Sequence, residues 1–466
     1  MIRALAALLL VSACSACGSE HGAGIRASGQ DTATASAHAD EVPDAFLDWL
    51  ANASPESLEI IEATWSNASL PMALETLHLA GSRATDRRVP ILDLLRREYP
   101  GVFGVDTDAW YRHLWSLRYT PHSRYARFKR DLYRVIDPAF ARYFDPDRPT
   151  RIRLDEVRWG GVRQDGIPPL RNPVMIEAND ADYLDDSDTV FAIEVNGDAR
   201  AYPKRILAWH EMFTDTVGGV PVAGVYCTLC GTVILYESAV RGVAHELGTS
   251  GFLYRSNKLM YDRATHSLWN TLTGEPVVGQ LVDAHPPIAL PRRAVVTTTW
   301  GAWKRRHPGT TVLSIDTGHR RDYREGAAYR DYFATDALMF TVPKRDDRLR
   351  NKDEVLGITL DHTQDTLAIH EAFLRAHPVH HDELAGLRFV VLTDPSGANR
   401  VYASPGVTFV GYDGRATATD ADGTRWTLTE SLLTNESTGA TLERLPAQRA
   451  FWFGWRSAFE RTRLVK

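Results

Sequence analysis

The most concentrated chemistry in this sequence lies in Tyr226-Cys227-Thr228-Leu229-Cys230-Gly231. Two cysteines flanking a two-residue turn present both sulfurs on one side, and Gly231 lets the chain double back directly after the second. The flanking runs, Val220 to Tyr226 and Thr232 to Tyr236, are rich in β-branched and aromatic residues. They predict a strand, a turn and a strand, not the helix start at which a macrodipole activates a redox thiol. A knuckle of this kind supplies two ligands, and a tetrahedral ion needs more. His210, 17 residues before Cys227, is the imidazole that would complete a metal set of Cys227, Cys230 and His210. Glu211, His245 (15 residues after Cys230) and Met260 are the further candidate ligands or supporting groups. A thiolate-rich set suits Zn or Cu better than Mg or Ca. Two other readings stay open. In one, Cys227 and Cys230 are the catalytic pair of a thiol-disulfide or copper-dependent oxidoreductase. In the other, they form a structural disulfide in a non-catalytic surface interaction module. Hydrolase chemistry finds no support, because there is no Gly-x-Ser-x-Gly elbow and His210-Glu211 continues as Met212-Phe213-Thr214 instead of reaching a second histidine.

The remaining two of the 4 cysteines are Cys14 and Cys17. They follow Met1-Ile2-Arg3 and an apolar run from Ala4 to Val11, the charged and hydrophobic regions of an export signal too short to span a bilayer. Val11-Ser12-Ala13-Cys14 has the form of a bacterial lipobox, so residues 1–17 are read as signal peptide and lipobox, with Cys14 lipidated. Cys17 is the weaker candidate, since Cys14 occupies its upstream small-residue position. The expected location is the bacterial cell envelope, with membrane contact through the lipid anchor alone. In such an oxidising compartment the second cysteine pair must be bridged, metal-bound or redox-cycling.

These groups need a scaffold, and 466 residues, 44% hydrophobic and 24% charged, are enough for two or three packed domains. The 53 basic and 59 acidic residues give a net charge of -6, which offers no field for nucleic acid. A protein partner or a small molecule remains the candidate ligand. Residues 18–40 carry almost no large apolar side chains and read as a flexible tether. Residues 41–150 read as a helical domain. Ser54-Pro55-Glu56 is a capped helix start, and Ile91, Leu94 and Leu95, then Trp110, Leu114 and Leu117, recur at helical spacing. Beyond residue 150 the sequence breaks into short β-rich runs, such as Val190 to Val195 before the Asn196-Gly197 turn.

The β-rich part carries an internal echo. Val190 to Val195 matches Val355 to Leu360, Asp215 to Gly219 matches Asp382 to Gly386, and Trp300-Gly301-Ala302-Trp303 returns as Trp452-Phe453-Gly454-Trp455. The segment answering to the cysteine turn is Thr393-Asp394-Pro395-Ser396-Gly397, which has no thiol. The fold class is therefore α+β: a small all-α domain precedes a β-rich region built by degenerate duplication. Residues 151–350 form the first copy, with the cysteines, and residues 351–466 the second. The doubled Trp pairs are expected to be core.

Seven ordered motifs carry a resemblance. They are Asp165 to Leu170, Asn196 to Pro203, Trp209-His210-Glu211, Tyr226 to Gly231, Ser250-Gly251, Leu259 to Arg263 and Ser267-Leu268-Trp269. From about Arg158 to the C-terminus the chain resembles the prokaryotic family known as domain of unknown function thirty-one seventy-nine. The resemblance implies exported or lipid-anchored proteins and no particular activity. It marks His210, Glu211, Tyr261, Asp262 and Arg263 as groups accompanying the thiols, with the last three as candidates for bracing the site. Thr228 departs from the pattern, which usually has proline there, and the helical region before Thr150 lies outside it.

Overall fold

The computed structural model describes residues 31–81, 84–100, 104–360 and 363–466, without the side chains of 31–40. Cys14, Cys17 and the proposed signal segment lie outside the described residues. The first helix, Asp31–Asn52, reaches back into the stretch read as a tether. Alanines at 33, 35, 37 and 39 have the highest intrinsic helix propensity, which a count of large apolar residues overlooks. Among the described residues, no helix is long and apolar enough to cross a membrane.

The chain divides into two compact units, residues 1–110 with 117–132 and residues 111–116 with 133–466. The first is helical. Pro55–Ala63 starts as expected, with the Ser54 side chain accepting from the Ser57 amide, and Leu70–Ala80 and Thr85–Glu98 bury Leu74, Leu77, Ile91 and Leu95. A buried ion pair joins Lys129 and Glu75 within this unit.

The second unit is α+β, and its topology repeats. In the first copy, Thr189–Val195 pairs with Asp198–Pro203 through the Asn196-Gly197 turn, whose φ angles of 51° and 83° suit Asn and Gly. Helix Lys204–His210 and strands Met212–Val217, Val220–Cys227 and Thr232–Glu237 follow. Val296–Thr299 then returns beside Thr189–Val195, helix Trp300–Arg306 follows, and Thr311–Leu313 lies parallel to Asp198–Pro203. The second copy makes the same moves. Glu354–Thr359 pairs with Thr366–His370, and helix Glu371–Ala376 leads to strands Val379–Leu384, Leu387–Thr393 and Asn399–Ala403. Gln448–Phe451 returns beside Glu354–Thr359, helix Trp452–Ala458 follows, and Arg463–Val465 lies parallel to Thr366–His370.

Side chains repeat with the strands. The Trp303 indole N–H donates to Thr310 at 2.8 Å, and that of Trp455 to Thr462 at 2.9 Å, each seven residues on. All four tryptophans of the doubled motif are buried in their own copy's core. The copies are not equal in extent. Between Thr232–Glu237 and Val296–Thr299 the first inserts strands Leu247–Tyr254, Asn257–Asp262 and Leu268–Asn270. The second extends Leu387–Thr393 and Asn399–Ala403 into a sheet of eight strands.

Candidate functional site

Val220–Cys227 and Thr232–Glu237 pair antiparallel, with Cys227 opposite Thr232, so the cysteine turn closes a hairpin as its flanks predict. The two sulfurs are joined as a disulfide, and Cys227 and Cys230 are only 2% and 1% exposed. They pack in an apolar cluster with Phe451, Phe453 and Val342. The lid comes from the second copy. Gly231, at φ 60°, lies under the Phe451 ring so closely that a Cβ there would sit 2.8 Å from three ring carbons, and the Phe451 amide donates to the Cys230 carbonyl at 2.8 Å. Helix Trp452–Ala458 presses on the same spot, where a Cβ on Gly454 would meet the Cys230 Cβ at 2.7 Å. The first copy has Ala302 at the corresponding helix position; glycine is required where the helix rides over the bridge.

Glu211 holds the turn from the other side. Helix Lys204–His210 ends with Glu211 in the left-handed region at φ 57°. That geometry places its carbonyl to accept from the Tyr226 amide at 2.8 Å and turns its carboxylate inward. One carboxylate oxygen accepts from the Thr228 hydroxyl at 2.6 Å and the Tyr329 hydroxyl at 3.2 Å; the other accepts from the Lys258 ammonium at 3.0 Å. Lys258 is 5% exposed, and burial pushes its pKa down while the Glu211 carboxylate opposes that shift. Tyr332 completes the clasp by donating to the Leu229 carbonyl at 2.7 Å. Thr228 is thus a working hydrogen-bond donor, which a proline in its place would not be.

His210 is held elsewhere. Its Nδ1 donates to the Pro168 carbonyl at 2.8 Å, which leaves Nε2 as the acceptor for the Tyr323 hydroxyl at 2.5 Å. Burial lowers its pKa to about 4, so the ring is neutral at pH 7 and its one lone pair is engaged. His245 bonds Asp262 at 2.6 Å, and Met260 is buried beside Trp269 and Leu247. Tyr261 donates to Asp165 at 2.6 Å, while Arg263 reaches Glu246 at the surface. Tyr261, Asp262 and Arg263 thus make separate pairings with Asp165, His245 and Glu246, Asp262 pointing to the opposite strand face from Tyr261. Among the described residues, no three His, Cys, Asp or Glu side chains are grouped so as to hold a metal ion. Of the groups singled out in the sequence, Glu211 alone reaches the cysteine turn through its side chain.

On the outer side of the turn is a cavity of about 240 Å³. Tyr226 and Gly231, the residues bounding the cysteines, line it together with Thr189, Thr297 and Thr299 of the first copy and Glu354, Arg449 and Phe451 of the second. Register explains this composition. Thr189 lies opposite Thr299 and Phe191 opposite Thr297, so these four share one sheet face; Glu354 opposite Phe451 and Leu356 opposite Arg449 repeat the arrangement. Thr189 corresponds to Glu354, Thr297 to Arg449 and Thr299 to Phe451 under the duplication. Equivalent faces of the two copies thus look onto one cavity. Ser396, from the segment that answers to the cysteine turn, lines it too and bonds Thr298 at 3.0 Å. The cavity residues could have been found from the sequence by pairing each residue of one copy with its counterpart in the other; Lys258, one of several charged residues in its stretch of chain, carried no such signal.

A family model described as "Protein of unknown function (DUF3179)" matches residues 164–462. No curated protein and no solved structure matches the chain.

Proposed function

The chain belongs to the DUF3179 family, whose description assigns no activity, and from the geometry we propose that it is an exported binding protein without thiol chemistry of its own. The Cys227–Cys230 disulfide serves as a brace, and the cavity between the two copies receives a small molecule. The observation that carries this reading is the burial of both sulfurs under Phe451 and Phe453, with the two neighbours of the bridge, Tyr226 and Gly231, turned to the cavity wall. A redox pair needs an accessible thiolate, and these sulfurs have no solvent face from which to exchange. A thiolate metal site needs further donors, and His210, the imidazole expected to supply one, is committed to Pro168 and Tyr323. Export to an oxidising compartment, as residues 1–14 suggest, supplies the conditions in which the bridge forms. The lipid anchor at Cys14 belongs to the same proposal.

Thiol counting on protein from an envelope fraction, paired with elemental analysis of the same sample, tests this. Cys227 and Cys230 should release thiols only after denaturation with reductant, and Zn and Cu should be far below one equivalent. Free thiols at both Cys227 and Cys230, with Cys17 counted separately and stoichiometric metal present, would replace this reading by the metal-binding one.

A further inference from the structure

The junction cavity has a chemistry of its own, and resting on the binding reading above, the geometry points to a small oxyanion, a carboxylate or a phosphate, as its ligand. Three donors on its wall lack partners. Tyr226 is 2% exposed, yet its hydroxyl makes no hydrogen bond among the described residues. A phenol on a cavity wall with no internal partner is free to donate to a group bound there. Burial and the nearby Glu354 both raise the Tyr226 pKa, so it stays protonated and acts as a donor. The Thr297 hydroxyl is likewise buried without a partner. The Lys204 ammonium lies 5.3 Å from the centre of the Phe333 ring and forms no ion pair among the described residues.

The other charges on the wall are already matched. Arg449 donates to Glu354 at 2.6 Å and to Asn399 at 3.1 Å, and Arg375 is paired with Glu371. What remains is one unmatched cation with two neutral donors, the complement of a single negative charge spread over several oxygens. Size sets a second limit. At about 240 Å³ the cavity falls below the roughly 300–1,000 Å³ typical of sites for drug-sized ligands, which matches a ligand of a few heavy atoms.

The duplication explains why such a site arises here. Thr189 and Thr297 in the first copy stand where the second has Glu354 and Arg449. One copy offers uncharged hydroxyls while the other neutralises itself with an internal ion pair. Lys204, whose counterpart in the second copy is Glu371, is then left as the sole unmatched charge on the cavity wall among the described residues. Divergence of the copies, and not symmetry, creates the anion preference.

Lysine-methyl NMR on the full chain tests the assignment. Lysines are labelled by reductive ¹³C-methylation, Lys204 is assigned by its loss in Lys204→Arg, and the protein is titrated separately with inorganic phosphate, gluconate and, as a control for ionic strength, chloride. The Lys204 signal should move saturably with phosphate or with gluconate at concentrations below tens of millimolar, and not with chloride. Which of the two acts separates phosphate from carboxylate as the ligand. Tyr226→Phe should weaken the response by roughly tenfold, the loss expected for one hydrogen bond to a charged acceptor. No saturable shift with either anion overturns the proposal, as does a response unchanged in Tyr226→Phe. Thiol content measured on the same sample keeps the two ideas separate: an intact bridge with a blank titration removes the oxyanion alone, and free thiols with a normal titration remove the brace alone.

Discussion

At the scale of single residues, His210 shows how a side chain with the right chemistry can be taken out of circulation. It sits in a chain of donors running from Thr317 to Tyr323 to the imidazole to the Pro168 carbonyl, each link 2.8 Å or shorter. Every member is satisfied, so protonation of the ring would force the Tyr323 link to reverse and place a charge in a buried site. The consequence for stability has a definite sign. Burial lowers the folded-state pKa to about 4 from an unfolded value near 6.5, so between those limits the unfolded chain binds a proton that the folded chain refuses. Stability conferred by neutral His210 is complete above pH 6.5 and is lost as pH falls towards 4, by at most about 3 kcal/mol. His210→Gln, which keeps an acceptor for Tyr323 without a titrating ring, should flatten this part of the urea midpoint against pH. Equal slopes for the two proteins between pH 4 and 6.5 would show that another group is responsible. The sequence made His210 conspicuous through its distance from Cys227, but an imidazole's partners depend on which way a helix end points. The left-handed turn at Glu211 sends the acid, not the histidine, towards the sulfurs.

At the scale of elements, the cysteine hairpin is a case in which strand and turn were legible and the clasp was not. Short apolar runs rich in β-branched and aromatic residues, on either side of a two-residue turn, predict Val220–Cys227 and Thr232–Glu237, because backbone pairing follows from local residue types. The repeated order of strands and helices was legible for the same reason. Lys258, Tyr329 and Tyr332 lie 28 to 102 residues beyond Cys230, and long-range partners of that kind leave no local pattern. Their energetic weight lies in asymmetry. Glu211 is 7% exposed and its charge is tolerated because Lys258 and two hydroxyls meet it. Lys258→Met strands that charge and should destabilise the protein by about 3–5 kcal/mol, whereas Thr228→Val, which removes one of several donors, should cost about 1–3 kcal/mol. The double variant Lys258→Met, Glu211→Leu, with no buried charge, should recover much of the first loss. Chemical denaturation of the three proteins checks the order. If the double variant is no better than Lys258→Met, the clasp owes its strength to packing and not to the matched charge.

For the β-rich unit as a whole, the two copies depend on each other at the disulfide. The bridge belongs to the first copy by sequence, but its cover, Phe451 with Gly454 behind it, belongs to the second. A bond shielded by another element is reduced only when that element lifts, so its reduction rate reports on opening at the junction and not on the bridge itself. Phe451→Ala removes the ring that lies over Gly231 and should cost about 3–5 kcal/mol. It should also speed reduction of Cys227–Cys230 by dithiothreitol tenfold or more under native conditions, since the sulfurs then face solvent. Loss of stability alone could produce some acceleration through global unfolding, so the comparison must be with a variant of similar cost elsewhere in the second copy. Leu433→Ala, at a fully buried position among Val390, Trp426 and Leu428, provides it. If the copies meet as described, Leu433→Ala leaves reduction slow in dilute reductant while Phe451→Ala does not, because only the latter opens a local path. Matching reduction rates for the two variants would mean that the bridge is reached only by unfolding the unit entirely, and the second copy would then be a neighbour of the disulfide without being its lid.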